Sequence, residues 1–129
     1  MTTQNINDFG HWQSDIEITN DLFGFVYCIT NTVTGRRYIG SKQLYFRRGR
    51  IRKDSDWRTY TSSSTWLNDD ITRLGKDKFT FRILATANSK KMLNYIETKL
   101  IIEHGALWSN TYYNQFLFCK IKVLKFPEL

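Results

Sequence analysis

The sequence predicts a small α+β domain, sandwich-like in its layering: a central three-stranded antiparallel sheet flanked by helices, with a candidate extra strand at the C-terminus. Three observations carry that prediction. Two β-type runs, residues 25–31 and 37–41, are separated by a turn-rich segment holding Asn31, Thr34 and Gly35, so the chain can reverse and pair with itself. Residues 78–86 alternate Phe79, Phe81, Ile83 and Ala85 with Thr80, Arg82, Leu84 and Thr86, the period of a third strand. Residues 89–105 place Leu93, Ile96, Leu100 and Ile101 on one helical face, between Ser89 as cap and Gly105 as stop. At 129 residues the chain supports one core, and 16% aromatic residues with a single proline fit an ordered domain.

In chain order, residues 1–21 are expected to form an acidic arm ahead of a domain at 22–129. The arm carries Asp8, Asp15, Glu17 and Asp21 without Lys or Arg, and Phe9, Trp12, Ile16 and Ile18 are its scattered apolar anchors. In the hairpin, a period of two puts Tyr27 on the face of Phe25 and Ile29, with Val26 and Cys28 opposite. Tyr38 and Gly40 share a face of the second strand. Pairing that brings Tyr27 and Tyr38 together sets two phenols beside a glycine, where a ligand or backbone can approach closely. Residues 43–53 are expected to be helical, with Leu44, Phe46 and Ile51 as a weak apolar stripe. Residues 54–64 read as a loop whose Thr61, Ser62, Ser63 and Ser64 can donate to phosphates and cap a following helix. That helix spans about 65–74, with Trp66, Leu67, Ile71 and Leu74 on one side and Gly75 ending it. After the helix at 89–105 and a loop at 107–114, residues 115–126 alternate again, with Lys120 and Lys122 on one face. This last strand suits a sheet edge or a homodimer contact.

The formal net charge of +7 is concentrated: residues 36–58 hold nine Lys or Arg against Asp54 and Asp56. Lys42, Arg47, Arg48, Arg50, Arg52 and Lys53 follow one another with no acid between them, which favours a bound polyanion, nucleic acid before membrane. No apolar run approaches a membrane span, and the acidic N-terminus is no signal or transit peptide. Cys28 and Cys119 make neither a disulfide framework nor a cysteine zinc site, and a reducing, intracellular setting fits. His11 and His104 are too few for histidine metal chemistry. Glu97 stands out because it lies in the middle of the apolar stripe of its helix. Burying an unpaired charge costs several kcal/mol, so it needs a partner. An ion pair with an arginine and a metal-binding or catalytic role both answer that need.

These parts, in this order, resemble the GIY-YIG nuclease family. Phe25-Val26-Tyr27 stands at the first triplet and Tyr38-Ile39-Gly40 at the second. The second triplet matches fully; in the first, Phe25 stands at the family's usual glycine, with Gly24 one place early. Residues 57–64, Asp77-Lys78-Phe79 and Tyr113-Asn114 are similar to small stand-alone phage-encoded members, and the resemblance covers roughly 22–115. It implies an endonuclease that hydrolyses double-stranded DNA to 5′-phosphate and 3′-hydroxyl ends, in the cytoplasm of an infected bacterial host. It also implies one divalent metal, Mg²⁺ with Mn²⁺ as substitute, held by Glu97. Carried over residue by residue, Tyr27 is the general base toward the attacking water and Tyr38 a hydrogen-bond donor to phosphate or water. Gly40 is the motif glycine, Arg48 the charge-neutralising arginine with Arg47 nearly equal, and Asn114 orients Glu97 or Tyr27. Lys42 joins this set as a cation favouring the phenolate.

Many members carry a His or Tyr one turn after the arginine. Here that position is Arg52, which leaves the part to Tyr60 or Lys42. DNA contacts are expected from Lys42, Arg47, Arg48, Arg50, Arg52, Lys53, Trp57, Tyr60 and Ser63. No zinc finger, helix-turn-helix or modular tail is recognisable, so specificity is expected to be low or degenerate. Other readings stay open: a site-specific homing-type endonuclease, an inactive nucleic-acid-binding module of the same fold, or a basic protein gripping an acidic protein partner.

Overall fold

The structure, a computed structural model, describes residues 3–115. It runs β1 (Gly24–Asn31), β2 (Arg37–Gln43), β3 (Tyr45–Arg48), β4 (Ile51–Asp54), α1 (Thr65–Leu74), a 3-10 turn (Lys76–Lys78), β5 (Phe79–Ala87) and α2 (Lys90–Glu103). β1 is the central strand of a three-stranded antiparallel sheet ordered β2-β1-β5. Its nearly unbroken run Phe25-Val26-Tyr27-Cys28-Ile29 suits that place, because a strand covered on both faces has no solvent side to make polar. Phe25, Tyr27 and Ile29 point into one cluster with Tyr38, Phe79, Phe81, Ile83 and Leu67 of α1. Val26 points into the other, with Ile39, Leu93 and Ile101 of α2. The layering is therefore α2, sheet, then α1 with the N-terminal segment.

The N-terminal segment contributes to that core. Trp12 and Ile18 are buried, and Phe9 packs beside them. Gln13 bonds along the outer edge of β5, its N–H donating to Phe81 O at 2.7 Å and its carbonyl accepting from Ile83 N at 2.8 Å. An edge strand is thereby covered.

Both helices begin where the sequence places them. The Ser64 side chain accepts from Leu67 N at 3.2 Å and the Ser89 side chain from Met92 N at 3.2 Å, each satisfying a backbone donor of the first turn. Two departures have clear causes. In β5 the register shifts between Val26 and Tyr27, so Ile83 pairs with Tyr27 but Ala85 with Val26. The extra residue sends Ala85 to the α2 face, off the strict alternation expected of it. On α1, Trp66 is exposed and Leu67 carries the burial.

The larger departure is at 43–53, which is a two-stranded ribbon and not a helix. Tyr45 pairs with Asp54, Phe46 with Lys53, Arg47 with Arg52 and Arg48 with Ile51. Gly49 inside a helix would cost about 1 kcal/mol, while the aromatic and β-branched Tyr45, Phe46 and Ile51 suit strands. The ribbon needs only a tight reversal, supplied by Gly49 with φ 61° at the first central position, as a type II′ turn requires. β2 is also longer than expected and takes in Lys42. The candidate strand at 115–126, with its basic face and its homodimer contact, lies outside the described residues except for Gln115. Among the described residues no helix is long and apolar enough to cross a membrane.

His11 lies flat on Phe81, ring centroids 3.9 Å apart, with both ring nitrogens shielded from solvent. Burial, and after it the Lys76 charge, lower its pKa from 6.5 to about 4, against a smaller opposing effect of the Tyr60 backbone. The unfolded chain thus binds the extra proton first. The contribution of His11 is full above pH 6.5 and is lost as pH falls toward 4. Thermal melts between pH 7 and 4 should show a loss in the parent that His11→Phe, which keeps the stack, largely removes. Parallel curves for the two proteins would rule this out.

Candidate active site

Tyr27 of β1 stands directly across from Gly40 of β2, and the Tyr27 and Tyr38 rings lie over the same sheet face, centroids 6.2 Å apart. Glycine is required at 40 for space. A Cβ there would sit 2.5 Å from Tyr27 Oη and 2.8 Å from Tyr38 Cε2. The loop before α1 completes this side. Tyr60 meets Tyr27 edge-on at 6.3 Å, and Ser63 hydrogen-bonds Tyr38. Between them Ser62 takes φ 85°, strained for a residue with a side chain.

The carboxylate comes from the other layer. β2 is an edge strand, so groups from both faces meet around it. Ser41, on the α2 face opposite Tyr38 and Gly40, donates its hydroxyl to Glu97 Oε1 at 2.6 Å. Leu93 and Ile101 on either side of Glu97 are buried in the α2 cluster, and this packing fixes where the carboxylate points. Of the two partners the sequence left open for Glu97, no arginine pairs with it among the described residues.

Tyr27, Tyr38, Tyr60, Ser41, Ser63, Asn94 and Glu97 line one cavity of about 210 Å³. Burial makes Tyr27, Tyr38 and Glu97 harder to ionise. Burial pushes the Tyr27 phenol well above the usual tyrosine range, with the Tyr38, Tyr60 and Glu97 charges adding to it. Burial also pushes Tyr38 up to about 12, against the Ser63 hydrogen bond. Glu97 is raised by burial, with the Ser41 hydrogen bond opposing. Both phenols are therefore neutral in the free protein at neutral pH, and each anion formed here would favour a cation.

The donor set is one carboxylate, one amide and several hydroxyls, all hard oxygen ligands. Among the described residues no cluster of three or more His, Cys, Asp or Glu is found. This fits Mg²⁺, which keeps several waters and is held through one or two carboxylates, better than zinc, which takes nitrogen and sulfur ligands.

Lys42 stands beside the cavity. Its ammonium lies 4.0 Å over the Tyr60 ring and 2.8 Å from Asp56. Arg48 and Arg47 do not line the cavity; both are exposed on β3. Arg50, at the turn between β3 and β4, and Arg52 and Lys53 on β4 share that ribbon. Trp57 is buried, 2% exposed, with its ring edge-on to Phe25, so it is core and not a surface contact. Asn114 does not reach Glu97 or Tyr27. It grips the backbone of Ile39, accepting from its N–H at 3.0 Å and donating to its carbonyl at 2.7 Å. With Tyr113 N bonded to Arg37 O, this lays residues 111–114 along β2 and holds the strand that carries the site.

Ser41 and Asn94 belong to the cavity without having been expected in it. Both had a signal: Ser41 follows the second triplet, and Asn94 lies three residues before Glu97, on the same helix face. Compared with known proteins, the chain matches the family model described as "Putative endonuclease segE, GIY-YIG domain" over residues 9–117. No curated protein and no solved structure matches it.

Proposed function

The chain belongs to the GIY-YIG endonucleases, a family of phosphodiester hydrolases, and from that premise we propose that it cleaves double-stranded DNA with the help of one divalent metal ion. The observation that carries this reading is Glu97, drawn by Ser41 into the same cavity as both phenols. Glu97 would hold Mg²⁺ or Mn²⁺, with the Asn94 amide as an adjacent oxygen donor. When bound, such an ion supplies Lewis-acid stabilisation of the phosphoryl oxygens and of the leaving 3′-oxygen.

The protein's own groups do the rest. Tyr38, held by Ser63, donates to a non-bridging oxygen or to the attacking water. Tyr27 handles the proton of that water. As a neutral phenol it accepts one only when positive charge favours the phenolate. Lys42, over the ring that abuts Tyr27, is the cation the fold supplies on that side. Water attack at phosphorus with departure of the 3′-oxygen leaves 5′-phosphate and 3′-hydroxyl ends. Sequence specificity is low or degenerate.

Incubating a long duplex with Mg²⁺, with Mn²⁺ and with EDTA tests the proposal. Fragments are expected with either metal and not with EDTA, and their ends should be direct substrates for ligation. Cleavage indifferent to chelator would remove the metal from the mechanism. Binding without cleavage in any metal would favour an inactive DNA-binding module.

A further inference from the structure

The β3–β4 ribbon has two unlike faces. On one, Arg52 lies 4.1 Å over the Tyr45 ring, Arg47 lies 5.7 Å from the same ring, and Arg52 pairs with Asp54. Cross-strand neighbours occupy one another there. The opposite face carries Phe46, Arg48, Ile51 and Lys53. Phe46 is 49% and Ile51 71% exposed, and among the described residues neither Arg48 nor Lys53 has an ion-pair partner. Two bare apolar side chains between two unpaired cations make a face that water serves poorly and a duplex serves well.

That face is continuous with the cavity. Phe46 lines a second hollow with Ser41, Lys42, Lys90 and Asn94, and Ser41 and Asn94 also line the first. A basic track thus runs from Glu97 past Lys42 and Lys90 to the ribbon. Two antiparallel strands, about 4.8 Å apart, fit a B-DNA major groove about 12 Å wide.

We infer that the β3–β4 ribbon enters the major groove with its Phe46, Arg48, Ile51 and Lys53 face toward the base edges. It thereby gives the enzyme a short base preference at a fixed distance from the cut. The inference rests on the nuclease reading of the neighbouring cavity for its register, but not for its chemistry. Arg48 presents the fork that pairs with guanine O6 and N7, and Ile51 presents an apolar surface to a thymine methyl. Arg50, at the turn, meets phosphates and sets the ribbon's depth. So few readers specify few base pairs, which is what degenerate specificity means here.

Binding selection from a randomised duplex in EDTA, sequenced alongside the cut sites made in Mg²⁺, tests this. The parent should enrich guanine at one position by about 10-fold, within the ~5- to 150-fold expected of a bidentate contact. Arg48→Ala should flatten that position and leave the others. Arg50→Ala should weaken all sequences alike and reduce the salt dependence. Far-UV circular dichroism checks that both variants fold. A parent that enriches no position overturns the inference, as does an Arg48→Ala protein that loses binding or cleavage uniformly with its base profile intact. Selective binding without cleavage would sink the nuclease reading and leave the ribbon's role standing; cleavage without selectivity would do the reverse.

Discussion

Glu97→Gln is expected to slow DNA cleavage by at least ~10³-fold while leaving duplex binding nearly intact. Glu97 is the one acidic residue among the described residues that line the cavity, so its exchange removes the carboxylate proposed to hold the cation. Lewis-acid stabilisation of a phosphoryl transition state is worth several kcal/mol, and about 4 kcal/mol corresponds to ~10³ in rate. Binding should persist because its cations, on β2, on the ribbon and in Lys90 at the start of α2, are all retained. Stability supplies an independent reading. Burial raises the Glu97 pKa, so the fold holds the carboxyl proton more tightly than the unfolded chain does. The parent therefore gains stability from this group as pH falls through the folded pKa, and carries the cost of a half-buried charge above it. Glutamine keeps an acceptor for Ser41 without that charge. Its Tm should match or exceed the parent's at pH 8, with the gap closing toward pH 5. Titration with Mn²⁺ should show binding lost in the variant. Cleavage near the parent rate would end the assignment of Glu97 to the metal.

Tyr27→Phe is expected to cost ~10²–10⁴-fold in cleavage, the usual worth of a positioned proton acceptor. The ring is buried between Trp12, Tyr38 and Tyr60, and phenylalanine keeps that packing, so the hairpin and duplex binding should survive. Tyr38→Phe removes the hydroxyl proposed to donate to phosphate or water, and should cost less: a hydrogen bond to a charged group is worth ~1.5–3 kcal/mol, or about 10- to 150-fold. Because the fold raises the Tyr27 phenol, the parent's rate should climb with pH through the neutral range, and the residual activity of Tyr27→Phe should lose most of that climb. Time courses of the three proteins on one duplex, repeated at several pH values, decide the matter. If Tyr38→Phe is inactive and Tyr27→Phe active, the two phenols have exchanged roles. If both cut normally, the hairpin tyrosines are only packing.

Much of the site could be read in the chain because its signals are local. Period-two alternation put Tyr27 with Phe25 and Tyr38 with Gly40, and the sheet faces agree. The misplaced charge in a helical stripe singled out Glu97, and the serine caps marked where both helices begin. Trp57 and Asn114 show the limit. An aromatic in a polar loop reads the same whether it faces DNA or fills a core, and only the packing of Trp57 against Phe25 decides. An asparagine after a tyrosine carries no record that its amide will pair with the backbone of Ile39.

By itself the sequence determined the α+β class, the hairpin that pairs two phenols across a glycine, and the inward carboxylate. Each depends on spacing within one element, and backbone geometry converts spacing into direction. Only the tertiary structure decided that residues 45–54 form a ribbon, that Arg48 stands outside the cavity, and that Ser41 bridges the sheet to Glu97. Weak amphipathicity and five cations suit a helix or a hairpin alike. The choice between them rests on contacts from outside the segment, such as Phe23 edge-on to the Tyr45 ring, which no window along it contains.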